Sequence, residues 1–128
     1  MALIIVIDDD VDILDVSSLI LKSQGHDVIT ATNPDDGYKI VQLKKPDLII
    51  LDVMMSEPDD GFFLANRFRK EGINTPILMY TSIPKTVGLK FDKSDVVPVD
   101  DFVEKPITPD ELIHKVEFLL KKRRNSEC

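Results

Sequence analysis

The chain has 128 residues, 43% of them hydrophobic and 30% charged, with a net charge of −7. That is one domain's worth of sequence with one ordinary core, and the acidic balance argues against a general nucleic-acid binder. Cys128 is the one cysteine, so an intramolecular disulfide is excluded; no basic n-region precedes the first apolar run and no run is long enough to span a bilayer, so neither a secretory signal nor a membrane segment is expected, and a cytoplasmic protein is.

In chain order, residues 3–7 are a short apolar run that reads as a buried strand. A helix is predicted over residues 11–24, with Ile13, Val16 and Ile20 on its core face, Leu14 and Leu21 widening that face, and Gly25 ending it. Residues 28–31 form a second strand. Asn33-Pro34-Asp35-Asp36 is a helix start: a capping side chain, proline at the first position, then acids at the positive end of the dipole. That helix stops before Pro46. A third strand at 48–51, a helix at 62–70 between Gly61 and Gly72, and a fourth strand at 77–80 follow. Residues 83–98 contain Pro84, Gly88 and Pro98, so a fourth helix there is expected to be short or irregular. The fifth strand is 101–103. Thr108-Pro109-Asp110-Glu111 is a capping box, and the last helix carries Leu112, Ile113, Val116, Leu119 and Leu120 on one face with a basic end at Lys121-Lys122-Arg123-Arg124.

Strands alternating with helices predict a doubly wound α/β domain, for which the flavodoxin-like order 2-1-3-4-5 is the candidate. Ligands of such sheets bind beyond the carboxyl ends of the strands. Asp8 and Asp9 follow the first strand, Asp52 the third, Thr81 the fourth and Lys105 the fifth, so all five converge on one spot. Crowded carboxylates repel one another, and a divalent cation relieves that repulsion. A cation, a lysine and a hydroxyl together suit a phosphoryl group, whose transfer depends on positioning and charge stabilisation. Asp10 and Asp12 read as acids of a helix first turn. His26 and His114 stand alone. The D-x-D-x-D spacing at Asp8, Asp10 and Asp12 is not a calcium loop, because Ile13 replaces the glycine and Leu19 the glutamate that such a loop needs.

Asp8-Asp9, Asp52, Thr81 and Lys105-Pro106, in this order at these strand ends, resemble the response-regulator receiver domain of two-component signalling over about residues 3–120. The resemblance implies the family's strand order, 2-1-3-4-5. It implies that Asp52 is the phosphoacceptor and that Mg²⁺ is held by Asp9 and Asp52, by Asp8 mostly through water, and by the Met54 carbonyl. Lys105 would pair with the phosphoryl group. Thr81 would report it, with the aromatic three residues before the lysine, Phe102, as second switch residue. The implied donor is the phosphohistidine of a sensor histidine kinase or a phosphotransfer protein. A homodimer or an output domain are the further partners it implies, with no membrane contact and no direct nucleic-acid binding. Residues 1–122 are then the receiver domain and 123–128 a basic, polar tail.

The segment Asp52-Val53-Met54-Met55-Ser56-Glu57-Pro58-Asp59-Asp60-Gly61 departs from the family pattern: the proline lies two residues later and the glycine one, so a longer loop is expected. Met54 and Ile83, two residues beyond the aspartate and the threonine, are apolar and predict a long-lived phosphoryl group. Phe102 lacks a phenol hydroxyl and is expected to favour a buried position. Two alternatives stand beside this reading. Asp8-Asp9-Asp10 also resembles the motif of haloacid-dehalogenase-type phosphatases, with Asp8 as nucleophile, but that leaves Asp52 without a role and little room for a cap. A receiver-like scaffold that takes no phosphate is the other, and the intact set of motifs argues against it.

Overall fold

The computed structural model describes residues 2–53, 55, 60–81 and 99–127, with side chains as far as residue 122. Its elements are β1 (Leu3–Ile7), α1 (Val11–Ser23), β2 (Asp27–Ala31), α2 (Pro34–Lys44), β3 (Leu48–Asp52), α3 (Asp60–Lys70), β4 (Ile77–Thr81), β5 (Asp101–Glu104) and α4 (Pro109–Glu127). The five strands form one parallel sheet in the order β2-β1-β3-β4-β5, the flavodoxin-like arrangement expected. The expected short or irregular fourth helix falls on residues 83–98, outside the described residues.

The central strands are apolar up to the polar residues at their carboxyl ends because both sheet faces are covered. Side chains alternate between faces, so Ile5, Ile7, Ile49, Leu51, Ile77 and Met79 join α2 and α3 in one core cluster. Ile4, Val6, Leu48, Ile50, Leu78 and Tyr80 join α1 and α4 in the other. Helices α1, α2 and α4 start where a side chain caps a free N–H group. The Asp10 side chain accepts from Asp12 N–H, Asn33 from Asp36 N–H at 2.9 Å, and Thr108 from Glu111 N–H at 3.4 Å. Gly25 and Gly72 end α1 and α3 with φ of 86° and 81°, the left-handed region that glycine enters without strain.

Three readings are corrected. The buried face of α1 is Leu14, Ser17 and Leu21, whereas Val16 is 47% exposed and Ile13 and Ile20 only flank the core. Gly61 does not precede α3 but lies in its first turn, where a Cβ would stand 2.2 Å from the Asp52 carbonyl oxygen. His26 is not isolated: its Nδ1 accepts from Ala2 N–H at 3.3 Å, and its Nε2 lies 3.5 Å from the Glu117 carboxylate of α4.

Candidate phosphoryl and metal site

Asp8 and Asp52 each sit at the carboxyl end of a strand, and β1 and β3 are hydrogen-bonded neighbours. The two acids are therefore adjacent despite their distance in sequence. Asp8 is wholly buried and Asp52 is 4% exposed. Asp9 follows Asp8 and faces solvent. One carboxylate oxygen from each of Asp8, Asp9 and Asp52 lies within 4.8 Å of the others. The local backbone is tied down. Asp10 N–H donates to Asp8 Oδ1 at 2.9 Å, and Asp8 N–H donates to the Ala31 carbonyl at 3.0 Å. Below Asp52, Gly61 N–H donates to the Val53 carbonyl at 2.9 Å, which seats the start of α3 directly on the acid's backbone.

Lys105 supplies the counter-charge. Its ammonium lies 3.0 Å from Asp8 Oδ2 and 3.3 Å from Asp52 Oδ1. Burial, with the Asp8 carboxylate beside it, pushes the Asp52 carboxyl up to about 6, against the pull of Lys105. Burial disfavours the Lys105 ammonium, but Asp8 and Asp52 outweigh this and hold its pKa above the ordinary lysine value. Two buried carboxylates with an exposed third form an oxygen-only donor set, which suits a hard divalent cation such as Mg²⁺.

Thr81 ends β4 and is 1% exposed. Its carbonyl accepts from Lys105 N–H at 2.7 Å, so the threonine and the lysine are fixed to one another by backbone. Phe102 is half-buried and packs against the α2–α3 core cluster. Lys115 of α4 holds this strand, donating to the Phe102 carbonyl at 2.5 Å and lying 3.2 Å from the Asp101 carboxylate. The structure thus brings together Asp8, Asp9, Asp52 and Lys105, with Thr81 at the neighbouring strand end. Met54 and Ile83 lie outside the described residues, as do residues 56–59, on which the expected longer loop falls.

Sequence reasoning missed a polar pair below the acids. Ser17 of α1 and Tyr80 of β4, both fully buried, hold their hydroxyl oxygens 2.7 Å apart. Burial drives the Tyr80 phenol far above its ordinary range, opposed by Ser17 and reinforced by the Asp8 carboxylate. The sequence shows a serine between Leu14 and Leu21 and a tyrosine ending the apolar run Ile77-Leu78-Met79, but nothing in it pairs the two.

Residues 4–117 match the family model for the response regulator receiver domain. The alkaline phosphatase synthesis transcriptional regulatory protein PhoP of Bacillus subtilis (strain 168) is 33% identical over 123 residues, covering 93% of this chain and 48% of that protein. The probable transcriptional regulator ycf27 of Cyanophora paradoxa is 33% identical over 126 residues, covering 95% and 49%. The chain spans about half the length of these curated relatives. Among solved structures, the Francisella response regulator 1452 receiver domain superimposes with a TM-score of 0.81 at 27% identity, covering 96% of this chain and 99% of that one.

Proposed function

We propose that this chain, which belongs to the response-regulator receiver domain family, takes a phosphoryl group onto Asp52. The observation that carries the reading is Lys105 set between Asp8 and Asp52 at 3.0 and 3.3 Å, beside three acids whose oxygens lie within 4.8 Å of one another. In the reaction an Asp52 carboxylate oxygen bonds to the phosphorus of a phosphohistidine. The phosphorus–nitrogen bond breaks, its electron pair stays on the imidazole, and that ring takes a proton. Lys105 is placed to pair with the phosphoryl oxygens, and the Thr81 hydroxyl to bond one of them and report the change, with Phe102 following as the second switch residue. Asp8, Asp9 and Asp52, with the Met54 carbonyl, would hold Mg²⁺, which supplies charge neutralisation for the incoming group.

The role is signalling: the domain assists its own phosphorylation and dephosphorylation and processes no separate substrate. The donor is a sensor histidine kinase or phosphotransfer protein in the cytoplasm. Residues 1–122 are the receiver unit, and 123–128 are its basic, polar extension. A homodimer or a linked output domain would read the state, and the net charge of −7 favours no direct contact with nucleic acid. The phosphatase reading with Asp8 as nucleophile is disfavoured by Asp8 itself, which has no exposed surface and has Oδ1 bonded to Asp10 N–H. Incubation with acetyl phosphate and Mg²⁺ followed by intact mass tests the assignment. The wild type should gain one phosphoryl mass and Asp52→Asn none. Equal labelling of both would reject Asp52.

A further inference from the structure

We propose that Tyr80 is a positioning residue, tied through Ser17 to the helix that begins at the acid cluster, so that the end of β4 and the metal acids hold one another's geometry. The inference rests on Asp8, Asp9 and Asp52 forming the Mg²⁺ site proposed above.

Tyr80 is fully buried and faces the α1–α4 side of the sheet, among Val6, Leu14, Ile50 and Val103. A phenylalanine would fill the same volume without bringing a polar group that burial penalises. The phenol is retained with one described partner, the Ser17 hydroxyl at 2.7 Å, itself in an apolar stripe between Leu14 and Leu21. Two buried hydroxyls that exist to satisfy each other have no packing purpose. Their effect is mechanical: β4 does not adjoin β1, because β3 lies between them, and the hydroxyl pair joins β4 to α1 across β3.

Both ends of this link reach the site. Tyr80 pairs in register with Asp52, and its carbonyl accepts from Val53 N–H at 3.1 Å, one residue beyond the acid. The next residue is Thr81. At the other end, α1 starts immediately after Asp10, whose N–H donates to Asp8 Oδ1 at 2.9 Å. A shift of α1 therefore carries Asp8 with it. Mg²⁺ demands near-octahedral geometry at about 2.0–2.1 Å and tolerates little displacement of its acids.

The test measures the Mg²⁺ dissociation constant by calorimetric titration, and thermal unfolding without metal, for wild type, Tyr80→Phe, Ser17→Ala and the double variant. Each single change strands one buried hydroxyl and should lower the unfolding temperature, whereas the double variant removes both partners and should recover most of it. Mg²⁺ affinity should fall about fivefold in all three, because the link is broken in each. Affinity restored in the double variant together with stability, or unchanged in every variant, overturns the inference. The double variant keeps the test decisive if a single variant fails to fold. A wild type that binds no Mg²⁺, or an Asp52→Asn variant that binds it equally well, overturns the metal-site reading and this inference with it. Normal wild-type binding with an unaffected double variant overturns the inference alone.

Discussion

The Lys105 ammonium stands 3.3 Å from Asp52 Oδ1, across 53 residues of sequence. In the metal-free protein this lysine is the counter-charge for two buried carboxylates, since it also pairs with Asp8 at 3.0 Å. Removing it leaves Asp8 and Asp52 facing each other with no cation between them. Lys105→Met should destabilise the metal-free protein by about 2–4 kcal/mol near neutral pH and slow phosphorylation by acetyl phosphate about a hundredfold. Urea unfolding and intact mass over time measure the two effects. A variant as stable and as readily labelled as wild type would show that Lys105 is not the site's counter-charge.

The Asp52 carboxyl, raised from 3.8 to about 6 by burial and by Asp8, makes stability depend on pH. A raised acid binds its proton more tightly in the folded chain than in the unfolded one. Its stabilising contribution is complete below the unfolded value of 3.8 and is lost as pH rises through about 6. Without metal, the wild type should therefore be less stable at about pH 7 than at about pH 5, by about 1 kcal/mol from this group, and the full effect of about 3 kcal/mol is reached only below the unfolded value. Asp52→Asn should abolish that part of the fall. Mg²⁺ should bind more weakly below about pH 6, where a proton competes for the same oxygens. Urea midpoints across this range, with and without Mg²⁺, decide it. Identical pH profiles for wild type and Asp52→Asn would contradict the raised carboxyl.

Gly61 is required by contact, not by loop flexibility. A Cβ there would meet the Asp52 carbonyl oxygen at 2.2 Å and the Val53 Cα at 2.8 Å, both backbone atoms with nowhere to retreat. Gly61→Ala should cost about 1–3 kcal/mol. It should also displace Asp52, so labelling by acetyl phosphate should fall more than the loss of folded protein explains. Thermal unfolding beside phosphoryl uptake per folded molecule separates the two. Full uptake at reduced stability would confine the glycine to packing.

Much of this was legible in sequence because the signals were local. Ile4-Ile5-Val6-Ile7, Leu48-Ile49-Ile50-Leu51 and Ile77-Leu78-Met79 are short apolar runs, mostly rich in β-branched residues and bounded by polar ones, which read as buried strands, and the caps at Asn33 and Thr108 mark their helices. The acids and Lys105 were placed by strand ends alone. What failed was orientation. Helix α1 carries Val11, Ile13, Leu14, Val16, Leu19, Ile20 and Leu21, so apolar residues surround it and periodicity cannot choose a face. The true buried stripe was hidden by Ser17, whose partner Tyr80 lies 63 residues away. A side-chain bond over such a separation leaves no trace in spacing. Gly61 was read as a helix boundary because close backbone approach and helix termination both call for glycine.

Arg69 closes the opposite end of the sheet and separates stability from the site. Its guanidinium donates to the Ile73 carbonyl at 2.9 Å and the Thr75 carbonyl at 2.8 Å, and pairs with Asp100 at 3.1 Å. Asp100 in turn accepts from Ile77 N–H at 2.8 Å, so one side chain fastens α3, the start of β4 and the approach to β5. Hydrogen bonds from a charged donor at partly buried carbonyls are worth more than neutral ones, and Arg69→Met should cost about 2–3 kcal/mol. Arg69→Lys should recover only part, because an ammonium cannot span the same forked set of acceptors. The acids sit at the other end of the strands, so Mg²⁺ affinity and phosphoryl uptake per folded molecule should match wild type in both variants. Urea unfolding paired with Mg²⁺ titration checks this. A change in Mg²⁺ affinity comparable to the loss of stability would mean that the two ends of the sheet are mechanically coupled through β4.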